Sequence, residues 1–135
     1  MPMQVELVSP ERILWSGESD MVVVRVSEEG YIAFQPGHAP FIGALTEHEC
    51  RIYPTGDSSH QVRAAVHGGF VEVRDNRVII LSDIAEMADD IDLDRARARA
   101  RDLEEQLRHE HDAQCEAMLR RDHVRIEVAG GLSGH

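Results

Sequence analysis

The sequence has no lysine, two cysteines, few aromatic side chains (4%) and no long apolar run, and each shortage narrows what the chain can be. Cys50 and Cys115 are too few and too far apart in sequence for a disulfide framework or a zinc site, so both are expected as free thiols in a reducing compartment. No stretch reaches the roughly 18 apolar residues that a membrane span requires. The opening Met1-Pro2-Met3-Gln4-Val5-Glu6 also lacks the basic and apolar regions of a leader peptide. The chain is therefore expected to be soluble and cytosolic, without direct membrane insertion, unless a partner holds it at a membrane. All 14 strongly basic residues are arginine, set against 25 acids. The resulting net charge of −11 argues against binding nucleic acid or an anionic lipid surface. A length of 135 residues leaves room for one small domain and an appendage, not for a large enzyme cleft.

What is present changes character near Met87. Before it, apolar residues alternate in short runs: 3–8, 13–15, 21–26, 31–34, 41–45, 49–53, 61–66, 70–73 and 78–82. Turn signals separate them, among them Ser9-Pro10-Glu11, Ser16-Gly17-Glu18, Asp75-Asn76 and the loop Pro54 to Ser59. No helical period occurs there, and short strands at this spacing predict a sandwich or small barrel. The stretch Gly30 to Leu45 is its stiffest part. Pro36 fixes φ at one turn position, Gly37 supplies positive φ at the next, and Pro40 holds Ala39 extended. His38 between them faces outward, as a contact residue or loop hydrogen-bonder rather than a base. Gly68-Gly69 has no helix after it, so it reads as close strand packing or a bulge rather than a phosphate loop.

From Asp92 the period becomes helical. Leu93, Ala96, Ala100, Leu103 and Leu107 form a narrow stripe, with Asp92 placed to cap the helix and Asp94 in its first turn. A second helix follows His109-Glu110-His111-Asp112, its apolar positions being Cys115, Met118, Leu119 and Ile126, with Asp122 interrupting the stripe. The tail from Ala129 to His135 is expected to fray. The chain thus reads as a β domain over 1–88 and a two-helix domain over 89–135.

No nucleophile, base and acid stand in a catalytic pattern, and no metal site is expected. The one His-x-His pair, His109 and His111, falls on a helical segment where its rings would diverge. One group could carry chemistry: Glu86, Asp92 and Arg95. Asp92 and Arg95 lie three residues apart at a helix start, on one face. They read either as a cap and its solvated neighbour, or as an acceptor for adenine or ribose beside a phosphate-pairing guanidinium.

In order and spacing, Leu7-Val8-Ser9-Pro10-Glu11, Trp15-Ser16-Gly17, Pro36-Gly37-His38-Ala39-Pro40, Gly68-Gly69-Phe70-Val71-Glu72-Val73, Ile80-Leu81-Ser82-Asp83 and Ile91-Asp92-Leu93-Asp94-Arg95-Ala96 carry a resemblance. Over nearly its full length the chain is similar to the epsilon subunit of the bacterial F-type (rotary) ATP synthase. The resemblance implies a mainly β plus α protein: a flattened antiparallel β-sandwich of about ten strands, then a C-terminal helical hairpin. It implies a non-catalytic rotor subunit of a proton-translocating complex, peripheral at the cytoplasmic face of the cell membrane. Its partners would be the gamma subunit and the ring of c subunits, with Tyr31 and His38 as contact residues. The hairpin would extend to the catalytic alpha and beta subunits and block ATP hydrolysis. No cofactor would be required, but Glu86, Asp92 and Arg95 would hold a regulatory ATP. A free-standing ATP-sensing module is the competing reading. The chain departs from the family pattern at Tyr31 and Ala33, at Asp102 and Ala129 (where some relatives carry arginines), and at Asp122 and His123, which replace apolar or small residues.

Overall fold

The computed structural model describes residues 1–27, 29–57 and 60–130. It divides into two units, Met1–Met87 and Ala88–His135.

The first unit is built from β1 (Met3–Val8), β2 (Ile13–Val26), β3 (Gly30–Phe34), β4 (Phe41–Pro54), β5 (Val62–Arg74), β6 (Arg77–Leu81) and β7 (Ala85–Met87). Six of these strands run in the order β1-β6-β5-β4-β2-β3, and β7 pairs with β5. Because β1 pairs with both β6 and β2, the sheet closes into a flattened, barrel-like sandwich. Closure leaves β1 and β6 with no open edge between them. The β1–β6 pairing is parallel, the others antiparallel. Short alternating runs carry no signal for that one parallel pair, which joins segments some 70 residues apart (Gln4 with Arg77).

Three strands are longer than the sequence pattern suggests. Residues 13–15 and 21–26 join through Ser16-Gly17-Glu18 into β2, 41–45 and 49–53 into β4, and 61–66 and 70–73 into β5. Ser16-Gly17-Glu18, read as a turn, and the breaks at 46–48 and 67–69 are places where a continuous strand bends. In β5 the core-facing residues change from Ala64 and Val66 to Val71 and Val73, a switch of parity. Gly68 and Gly69, at φ +94° and +117°, make that switch. Gly69 lies against β6 so closely that a Cβ there would sit 2.0 Å from the Leu81 carbonyl oxygen. The close packing expected there is present, and the β4–β5 register runs unbroken past it, so the glycines turn the strand over without inserting an extra residue.

Alternation places Val5, Leu7, Val22, Val24, Phe34, Ile52, Val78 and Ile80 in one apolar core at 0% exposure. Cys50 lies in it too, its thiol pushed up to about 12 by burial and hence inert; both cysteines are free. Asp75 and Asn76, at φ +51° and +60°, form the two-residue β5–β6 turn that their sequence announces.

The second unit is a 3₁₀ turn (Ala88–Asp90) followed by α1 (Leu93–His109) and α2 (Ala113–Gly130). Asp92 caps α1 by accepting from the Arg95 amide at 3.0 Å, and Asp112 accepts from the amides of Gln114 and Cys115. The helices are antiparallel, since Gln106 meets Cys115, Arg99 meets Asp122, and Leu93 meets Gly130. Ala96, Ala100 and Leu103 of the expected α1 stripe are buried. On α2 the expectation needs correcting: Asp122, Val124 and Val128 are buried, whereas Met118 is exposed. Ala129 and Gly130 belong to the last turn of α2 rather than to a frayed tail, and residues 131–135 lie outside the described residues.

Candidate functional site

The loop after β3 is braced from several sides. The Gln35 carbonyl accepts from the His38 amide at 3.1 Å, closing a turn in which Gly37 takes φ +85°. The Gly37 amide donates to Asn76 Oδ1 at 3.0 Å, and Asn76 Nδ2 donates to the Pro2 carbonyl at 2.8 Å. The β3–β4 loop, the β5–β6 turn and the N-terminus are thereby tied together. The His38 ring packs edge-on to Phe34, centroids 4.9 Å apart, and its Nδ1 lies 2.7 Å from the Ala39 carbonyl. Tyr31, 58% exposed, sits at the other end of β3, under the Arg25 guanidinium at 5.9 Å. Three strand steps, about 10 Å, separate Tyr31 from Phe34, so the two contact candidates flank β3 rather than sharing one spot.

A second feature was missed in the sequence. Ile42, Phe70 and Leu81 are 70%, 59% and 44% exposed. Phe70 pairs with Ala44 on β4 and with Leu81 on β6, and Ile42 is two residues along from Ala44, so these side chains share one outer face. Ile13 (58% exposed) continues the same face, because it pairs with Val8, which pairs with Leu81. The available signal was the doublets Phe41-Ile42, Phe70-Val71 and Ile80-Leu81: in a strand, adjacent apolar residues cannot both face the core.

Further along β4 and β5 the face becomes charged. Glu49 is buried and accepts from both Arg63, itself buried, and Arg51. The enclosed His67 ring lies between two carboxylates, with Nε2 3.2 Å from Glu86 Oε1 and Nδ1 3.8 Å from Glu47 Oε2. It thus links β4, β5 and β7. His48 is held below the ordinary imidazole range by burial, against the pull of the Thr46 carbonyl 2.5 Å from its Nδ1. Among the described residues, no group of three or more His, Cys, Asp and Glu is placed to hold a metal ion.

Glu86, expected beside a nucleotide, belongs to β7 in the first unit. Asp92 and Arg95 belong to the second, where Asp92 spends one carboxylate oxygen on the cap and the Arg95 side chain is exposed. One charged group of the hairpin with several partners is the residue that the sequence pattern treated as an interruption. Asp122 is fully buried; Arg99 donates to it through Nε and Nη2, both at 2.7 Å, and Arg125 through Nη1 at 2.9 Å. Burial alone would raise the Asp122 carboxyl, but the bonds from Arg99 and Arg125 outweigh it and hold the group below the usual carboxylate range. No helix is long and apolar enough to cross a membrane among the described residues.

Residues 2–88 match the family model described as "ATP synthase, Delta/Epsilon chain, beta-sandwich domain". The chain is 44% identical over 126 residues to the ATP synthase epsilon chain of Thermobifida fusca, covering 93% of this chain and 90% of that one. It is 42% identical over 129 residues to the epsilon chain of Streptomyces coelicolor, covering 96% of each. Two solved structures share the fold at low identity. A chain of the Euglena gracilis mitochondrial ATP synthase OSCP/F1/c-ring structure aligns with TM-score 0.72 at 16% identity, covering 98% of this chain and 80% of that one. A chain of the Tetrahymena thermophila mitochondrial ATP synthase central stalk and c-ring aligns with TM-score 0.61 at 12% identity, covering 98% and 97%.

Proposed function

The chain belongs to the epsilon-chain family of ATP synthase, and from that premise we propose that it is a non-catalytic rotor subunit whose β domain couples gamma to the c-ring. What supports this most is the exposed apolar face of Ile42, Phe70 and Leu81. Such a contiguous patch marks an interaction surface, and gamma is the partner that the family supplies. The braced loop carrying His38, with Tyr31 at the other end of β3, would meet the ring and gamma. The subunit would then lie peripherally, at the cytoplasmic face of a proton-translocating complex. Its hairpin would reach the alpha and beta subunits and restrain ATP hydrolysis.

Phe70→Thr with Leu81→Thr tests the docking face. Both side chains are exposed, so the variant is expected to melt within a few degrees of wild type. Two anchors worth about 1–2 kcal/mol each should weaken gamma binding at least about thirtyfold. Immunoblots of the membrane-bound complex should show the variant depleted. Retention at the wild-type ratio would remove this face from the docking surface.

We also propose Arg95, with Asp92, as the residues of the second unit that would hold a regulatory ATP. Arg95 is exposed beside the α1 N-terminus, and Asp92 keeps a second carboxylate oxygen beyond the one used in the cap. In calorimetric titrations, Arg95→Ala is expected to bind ATP roughly tenfold more weakly than wild type, the loss of one charge-assisted bond. Equal affinities would leave Asp92 and Arg95 as a helix start alone.

A further inference from the structure

The two helices of the hairpin meet with little apolar material. Of the three buried apolar residues of α1, two are alanine. The contacts that join α1 to α2 include Gln106 with Cys115, Glu104 with His123, and the approach of Leu93 and Arg97 to Gly130. Against these stands one joint of a different kind, Arg99 on α1 with Asp122 on α2. Asp122 is at 0% exposure, and both its oxygens are taken by the Arg99 fork, with Arg125 adding a third donor from one turn along α2.

We propose that Asp122 is an internal anion that locks the hairpin shut: its carboxylate fills the Arg99–Arg125 donor set in the manner of a bound phosphate or carboxylate ligand. A guanidinium fork recognises either group by the same planar, two-bond geometry. Here the ligand is part of the chain, so the folded hairpin carries its own closing group. Opening the hairpin separates Arg99 from Asp122. A fully enclosed carboxylate that loses its cross-helix partner must be rehydrated, so the joint opens in an all-or-none manner rather than by gradual sliding. The use of this lock as a regulatory gate rests on the proposed inhibitory role of the hairpin; the lock itself does not.

The test is amide hydrogen exchange on the full chain for wild type, Asp122→Asn and Asp122→Ala, with the amides of the β domain as internal control for folding. The two changes separate charge from shape. Asparagine keeps the size of the side chain and removes the charge. Alanine is a better helix former than aspartate, so a hairpin held by apolar packing and propensity would become more protected. The lock gives the opposite sign: amides of α1 and α2 should exchange at least about tenfold faster in both variants, with the β domain unchanged. Protection in Asp122→Ala equal to or above wild type would overturn the proposal. So would an Asp122→Asn protein that exchanges like wild type, because an amide would then suffice. None of these readouts involves ATP hydrolysis, so a failure of the inhibitory reading leaves them standing.

Discussion

Gly69→Ala is expected to destabilise the β domain strongly. At φ +117° the backbone is in a region that side chains with a Cβ disfavour by about 1–2 kcal/mol. The larger effect is steric: the new Cβ would lie 2.0 Å from the Leu81 carbonyl oxygen and 2.8 Å from the Ser82 Cα. Both are backbone atoms of the neighbouring chain segment, so no side chain can swing aside. The pairing of Phe70 with Leu81 begins one residue away, and the Ser82 hydroxyl donates to the Gly68 carbonyl at 2.6 Å, so β5 cannot retreat without losing both. Overpacking adds about 1–3 kcal/mol, for a total of about 2–5 kcal/mol. For a unit of this size that is a fall in Tm of about 8–40 °C. Gly68→Ala is the control: it has φ +94° but nothing within 4 Å of its Cβ position, so only the smaller conformational cost applies. Calorimetric melts of the two variants give the comparison. Equal, small losses would mean that β5 and β6 can separate at this point.

Ending the chain after Asp89 is expected to leave the β domain folded and to raise ATP hydrolysis by the assembled complex. The core cluster runs from Met3 to Ile80, with Ala85 and Met87 packed against it, and includes no residue of either helix. The truncated protein should therefore melt cooperatively, within a few degrees of the full chain, and still bind gamma. The effect on hydrolysis follows from populations. If the hairpin holds roughly four in five complexes in an inhibited state, its removal raises the rate about fivefold. Membrane ATPase assays on the truncated strain read this directly, with ATP synthesis measured alongside. Unchanged hydrolysis would deprive the hairpin of a regulatory role, and an insoluble truncate would show that the core requires the helices.

Alternation was enough to locate the β residues. Val22, Val24 and Val26 face the core because period two leaves them no other side once the first is buried. Asp75-Asn76 and Pro36-Gly37 declare their turns through the positive φ that those positions require, and Asp92 declares the start of α1. Local chemistry decides each of these, so they are legible locally. The six motifs from Leu7 to Ala96 are likewise legible, and they led to the family that the comparisons confirm.

Tertiary structure decided the rest, wherever a residue's role depends on a partner distant in sequence. Ser16-Gly17-Glu18 looks like a turn in isolation and proves to be a bend within a long strand, because β1 supplies the pairing that carries the backbone through, as β4 does for β5 at His67 and Gly69. The parallel β1–β6 contact closes the sheet without any local mark. The outer apolar face exists because Ile42, Phe70 and Leu81 come from three strands whose register sets them side by side. Asp122 shows the difference most plainly. Along its own helix it is a charge in an apolar stripe. Only with Arg99 brought across from α1 and Arg125 one turn away does burial of that charge become favourable, since an enclosed carboxylate is stable only where donors replace the water it has lost.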